Sequence, residues 1–147
     1  ESVYNSTSIA AIGVAAYEAG HAVQHAVNYK PIMIREMIIP VTRIGSWLYL
    51  PIIMIGFIFS SQRLVNLGII LFLTLVIFQL VTLPVEFDAS DRAIKTLSQS
   101  GILYGEEITG AKKVLRAAAL TYVAALVSSL AQLLRLILIF GGGRRRD

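Results

Sequence analysis

The chain alternates between long apolar runs and short polar stretches. Residues 44–61 contain no charged side chain, residues 64–83 contain none, and residues 118–140 contain only Arg135. Helices of these lengths, rising 1.5 Å per residue, cover an apolar layer of roughly 30 Å. The pattern predicts an all-α integral membrane protein with three transmembrane helices. Trp47 and Tyr49 fit an interfacial position near one end of the first span, and Pro51 predicts a kink in it. Arg135 is close enough to the end of the third span for its side chain to reach the interface.

The intervening stretches have helical patterns of their own. An Ala-rich helix is expected from Ser8 to about Asn28, capped by Asn5, Ser6 or Thr7 and ended by Pro31. Residues 30–43 predict an interfacial helix that stops near Pro40. Gln62 and Arg63 predict a tight polar turn between the first two spans. Residues 84–117 predict a helix after Pro84, a break at Ser98–Gly101, and a short helix over Ala111–Arg116. The chain thus divides into a motif helix with an interfacial segment (1–43), two spans (44–83), a polar helical segment (84–117), and a third span with a basic tail (118–147). No internal repeat is present.

Composition agrees with this reading. Of 147 residues, 56% are hydrophobic and only 15% are charged, against about 25% charged in a soluble domain. With no cysteine, disulfides, thiolate zinc sites and cysteine nucleophiles are excluded, so any metal must be held by His, Asp or Glu. The net charge of +4 comes from residues flanking apolar runs. That favours the lipid bilayer as partner and argues against nucleic acid. Three spans place 1–43 and 84–117 on one side of the membrane. That side carries Lys30, Arg35, Arg43, Arg92, Lys95, Lys112, Lys113 and Arg116; the other carries Arg63 and Arg144 to Arg146. Eight against four predicts that the motif side is cytoplasmic.

The chemistry concentrates in Tyr17-Glu18-Ala19-Gly20-His21. A zinc protease helix reads H-E-x-x-H, with two histidines four apart gripping one metal and the glutamate acting as general base. Glu18 and His21 occupy the second and last places of that pattern, and Tyr17 occupies the first. The bland reading makes Glu18 and His21 ordinary polar residues of an amphipathic helix. Against it, polar groups in an Ala/Val-rich helix are costly without partners. Gly20 costs about 1 kcal/mol against Ala inside a helix, unless another backbone or a substrate comes close. His25 offers a further imidazole on the same face, as a possible ligand or as a second-sphere group. The phenol of Tyr17 is a poor ligand near neutral pH, and its ring would fill the site.

The run SIAAIGVAAYEAGHAVQHA (8–26), the stretch FQLVTLPVEFDAS (78–90) and GAKKVLRAAALTYVAA (110–125) resemble the YugP-type neutral zinc metallopeptidases of bacterial membranes. The resemblance covers nearly the whole chain. It implies a membrane zinc metallopeptidase that hydrolyses polypeptides with a Glu-activated, zinc-bound water. It also implies an additional N-terminal membrane helix, which would precede Glu1. The family pattern is HEVGH or HEAGH, so Tyr17 stands in place of the first zinc-binding histidine, and impaired zinc binding and activity are expected. Glu86 resembles the third ligand on the E-x-x-A-D helix of HtpX-like membrane proteases, and the topology returns it to the membrane face of His21. Alternatively Glu86 is a solvated first-turn residue favoured by the helix dipole. Asp88 is the substitute ligand, and Asp91 a supporting or surface group.

Other classes fare worse. A catalytically inactive scaffold that binds polypeptides without cutting them is the main alternative. Ser46 and Ser60 have no His or Lys nearby in sequence, so a serine protease has little support. Asn66, Gln79 and Gln132 are the only candidates for a polar path, and no charge sits mid-span, so a transporter is disfavoured. The natural substrate and the oligomeric state are not legible in the sequence.

Overall fold

The structure is a computed structural model that describes residues 8–141; the cap candidates Asn5, Ser6 and Thr7 and the arginines Arg144 to Arg146 lie outside them. The described residues form four helices and no strand: α1 (Ile9–Ala26), α2 (Lys30–Ile58), α3 (Gln62–Gln99) and α4 (Glu106–Phe140). Helices α2, α3 and α4 are each long and apolar enough to cross a membrane. Their large side chains are widely exposed, among them Met37 at 73%, Trp47 at 82% and Leu138 at 73%. Faces of that kind demand an apolar solvent.

Helix α1 begins at Ser8, whose hydroxyl accepts from the Ala11 amide. It closes before Pro31 is reached: the Tyr29 amide donates to the Gln24 carbonyl, the Asn28 amide donates to that of His25, and Asn28 adopts φ 51°. That is a Schellman closure with Asn in the left-handed position. Pro31 then sits in the first turn of α2, where its missing N–H costs nothing.

The prolines do not divide the helices as the sequence pattern suggested. Pro40 and Pro51 lie inside α2, and Pro84 lies inside α3. Residues 30–43 therefore join the first span, and residues 84–99 continue the second. In lipid a broken helix would leave several backbone groups without partners, so continuing past one missing N–H is the less costly solution. The short helix expected over Ala111–Arg116 likewise merges with the third span in α4. The turn between the first two spans is at 59–61, with Ser60 at φ 52°. Gln62 already belongs to α3, and its amide donates to the Phe140 carbonyl at the end of α4.

The chain forms two compact units. The first comprises Glu1–Ile34 with Val81–Val123, the second Arg35–Leu80 with Ala124–Asp147. In the second, Ile53, Val65, Phe72 and Val76 are buried. Gly68 lets α3 approach α2 closely there, since a Cβ on it would lie 2.8 Å from the Tyr49 carbonyl oxygen. In the first, Leu97, Leu103 and Ala111 are buried, with Ile9, Ile12, Ala16, Ile94 and Ile108 packed against them. That core fixes α1 against the polar halves of α3 and α4.

Candidate metal centre

The centre lies in the first unit, where α1 crosses α3. Gly20 is buried, and a Cβ there would come within 2.6 Å of the Ala89 carbonyl oxygen. A glycine in this helix interior is thus explained by backbone contact, one of the two reasons the sequence offered. The close approach sets which α1 residues can reach α3. At about 100° per residue, Tyr17, His21 and Gln24 fall within about 60° of one another on the helix circumference. Glu18 and His25 lie on the flank of that stripe and are exposed.

Tyr17, His21 and Glu86 come together. His21 Nε2 is 3.8 Å from Glu86 Oε2, and the Tyr17 hydroxyl donates a hydrogen bond to that same carboxylate oxygen. The Tyr17 and His21 rings meet edge to face with centroids 4.6 Å apart. Glu86 is only 2% exposed. A buried carboxylate needs polar partners, and a hydrogen bond from Tyr122 on α4 supplies another.

Gln24 organises the imidazole, a role not anticipated from the sequence. Its side chain is fully buried. Its Nε2 donates to the Val85 carbonyl at 2.8 Å and to Asp88 Oδ2 at 2.8 Å. Both amide hydrogens are thereby used on acceptors, and a flipped amide would set oxygen against oxygen. Oε1 therefore faces His21 Nδ1, at 2.9 Å. Nδ1 therefore carries a hydrogen, and Nε2 is the nitrogen turned toward Glu86. A metal-binding imidazole uses the nitrogen opposite such an outer acceptor, and Gln24 is the kind of partner those ligands have. Asp88 also pairs with Arg92 at 2.6 Å, and the Arg92 guanidinium lies 5.9 Å from the Tyr29 ring centroid. The fallback ligand Asp88 is thus engaged in holding Gln24. Asp91 is exposed.

The signals for the missed residues were present but faint. Gln24 is three residues beyond His21 and seven beyond Tyr17, on the same stripe. Tyr122 is a tyrosine at the start of an apolar run, where its hydroxyl needs a partner.

The donor set is one short of a catalytic zinc centre. Two ligands on a tetrahedral zinc lie ~3.3 Å apart, so the spacing of His21 and Glu86 suits two of the positions. The third is a phenol already bonded to the carboxylate. Among the described residues no three His, Cys, Asp or Glu gather in a group that could hold a metal ion, so a set of His21, His25 and Glu86 is not assembled either. As it stands the centre does not fit a three-ligand zinc.

An E-x-x-H helix here faces a buried glutamate, in a chain with three helices long and apolar enough to cross a membrane. The chain is a member of the family described as "Putative neutral zinc metallopeptidase", whose model matches residues 1–141. It is 47% identical over 144 residues to the "Putative membrane protease YugP" of Bacillus subtilis (strain 168), an alignment covering 98% of this chain and 64% of that protein. The chain thus spans less than two thirds of its relative's length. No solved structure matches it.

Proposed function

We propose that the chain carries the hydrolytic centre of a membrane metallopeptidase acting on polypeptides, with Glu18, His21 and Glu86 as its working groups, and that Tyr17 impairs it. The observation that supports this reading is the 3.8 Å approach of His21 Nε2 to Glu86 Oε2. These two residues lie on different helices, in one compact unit, with Nε2 of the imidazole turned to the carboxylate by Gln24. A bland amphipathic helix gives no reason for a buried glutamine to spend both amide hydrogens on α3. Zinc in a complete centre acidifies water and polarises the scissile carbonyl. Glu18, exposed beside Tyr17, is the base of the motif. His25 has no role in this reading beyond the flank of α1. The protein acts in a bacterial membrane, and the excess of cations on its motif side supports a cytoplasmic position for that side.

Zinc content of the intact, detergent-purified protein tests the proposal. Tyr17→His should raise bound zinc from well under 0.1 to about one equivalent, and Glu86→Gln in that background should abolish it. The variant should also gain zinc-dependent cleavage of an unfolded protein. One tightly held equivalent in the protein with Tyr17 would refute the impairment. Zinc retained after Glu86→Gln, or none gained with Tyr17→His, would refute the assigned centre.

A further inference from the structure

Within the first unit, the polar halves of α3 and α4 leave a groove of about 630 Å³ that the metal centre does not use. The two helices run antiparallel there: Glu86 meets Tyr122 at one end, and Leu97 clusters with Ala111 at the other. The lining starts at Phe87 and Ala119, level with Glu86, and extends to Gln99 and Ile108. Residues 87 to 99 of a helix cover about 18 Å. An extended polypeptide rises about 3.3 Å per residue, so the groove accommodates roughly five residues.

Its chemistry has two components. Leu115 is buried at the bottom, and Ile94 is half-buried. Lys95, Lys112 and Arg116 line it as well, all three exposed, against the single carboxylate of Asp91. The lining therefore carries a net charge of +2 over an apolar floor. Such a groove discriminates by charge and gains affinity by apolar burial.

We propose that this groove is an exosite for an acidic, partly apolar segment of the polypeptide substrate, guiding it toward Glu86. The identity of the ligand as substrate rests on the proposed function, while binding in the groove requires no metal. A phospholipid is the weaker occupant. Lys95 lies twelve residues beyond the apolar run 64–83, about 18 Å along the helix, and Lys112 six residues before the run 118–140, about 9 Å, while Arg116 at about 3 Å is the one groove cation within headgroup reach. A headgroup layer is only about 5–8 Å deep per leaflet.

Fluorescent peptides of alternating Glu and Leu, and their Lys-for-Glu counterparts, test the groove against the intact detergent-purified protein with Tyr17, with empty micelles as blank. The acidic peptide should bind at least tenfold tighter than the basic one, and added salt should weaken it. The double variant Lys112→Glu, Arg116→Glu should invert the preference. An inversion is a gain of binding to the basic peptide, so misfolding cannot imitate it. Equal binding of both peptides, or an unchanged preference in the variant, would overturn the exosite. So would a variant that keeps the acidic peptide but loses association with phosphatidylglycerol vesicles relative to phosphatidylcholine ones, since that assigns the cations to lipid. The metal reading fails separately, in the zinc content of Tyr17→His, which peptide binding does not touch.

Discussion

At the scale of single residues, the centre is controlled by a glutamine as much as by its motif. Gln24 spends both amide hydrogens on α3 and presents its oxygen to His21 Nδ1. Replacing it with Leu preserves much of the volume and removes the acceptor. The imidazole then loses its reason to carry the hydrogen on Nδ1, and the Nε2-protonated form should appear. Imidazole ¹⁵N shifts of His21 check this without any metal: one tautomer is expected in the natural protein and a mixture in Gln24→Leu. In the Tyr17→His background the same change should weaken zinc binding by roughly 10- to 100-fold, the usual cost of losing an outer partner. An unaltered tautomer would remove Gln24 from this role. The motif itself was legible because H-E-x-x-H spacing is a property of sequence. The glutamine was not, because an amide becomes informative only when its partners on a distant helix are known.

At the scale of elements, the crossing of α1 over α3 is set by one glycine, and two substitutions separate propensity from packing. Alanine in a helix interior is favoured over glycine by about 1 kcal/mol. At Gly110 an added Cβ would meet the Ile9 side chain, Cγ2 at 3.5 Å and Cδ1 at 3.9 Å, both ordinary contacts. Gly110→Ala should therefore raise the thermal midpoint of the detergent-solubilised protein. At Gly20 the added Cβ would meet the Ala89 carbonyl oxygen at 2.6 Å, and backbone cannot move aside cheaply. Gly20→Ala should lower the midpoint, with overpacking of about 1–3 kcal/mol outweighing the gain in propensity. Thermal unfolding followed by circular dichroism reads both signs; a rise at Gly20 would contradict the close crossing. The spans were readable in advance because lipid exposure writes itself as uninterrupted apolar sequence. Pro40 and Pro84 do not end their elements, because proline stops a helix where water can take up the freed backbone groups, and beside an apolar run it cannot.

At the scale of the whole molecule, what remains is the direction in which the chain crosses the bilayer. The apolar runs 44–61, 64–83 and 118–140 contain one charge among them, Arg135, while the flanking basic residues divide eight to four. Positive charge resists translocation, so the side with eight should stay in the cytoplasm. Because the chain has no cysteine, single cysteines report position without background. Ser60, in the turn at 59–61, and Ser98, near the end of α3, are both exposed and lie at opposite ends of the run 64–83. In whole cells, a membrane-impermeant maleimide should label Ser60→Cys directly and Ser98→Cys only after permeabilisation. The reverse pattern would invert the orientation and put the centre outside the cytoplasm, where its substrates would be secreted or envelope polypeptides. Labelling of both from one side would mean that 64–83 does not cross, despite its length and apolarity. The charge excess is small enough that orientation, unlike the presence of the spans, is decided by a few lysines and arginines. Converting Lys112, Lys113 and Arg116 together to Gln would cut the count from eight to five. That should produce a measurable fraction of Ser98→Cys accessible from outside if charge alone holds the topology.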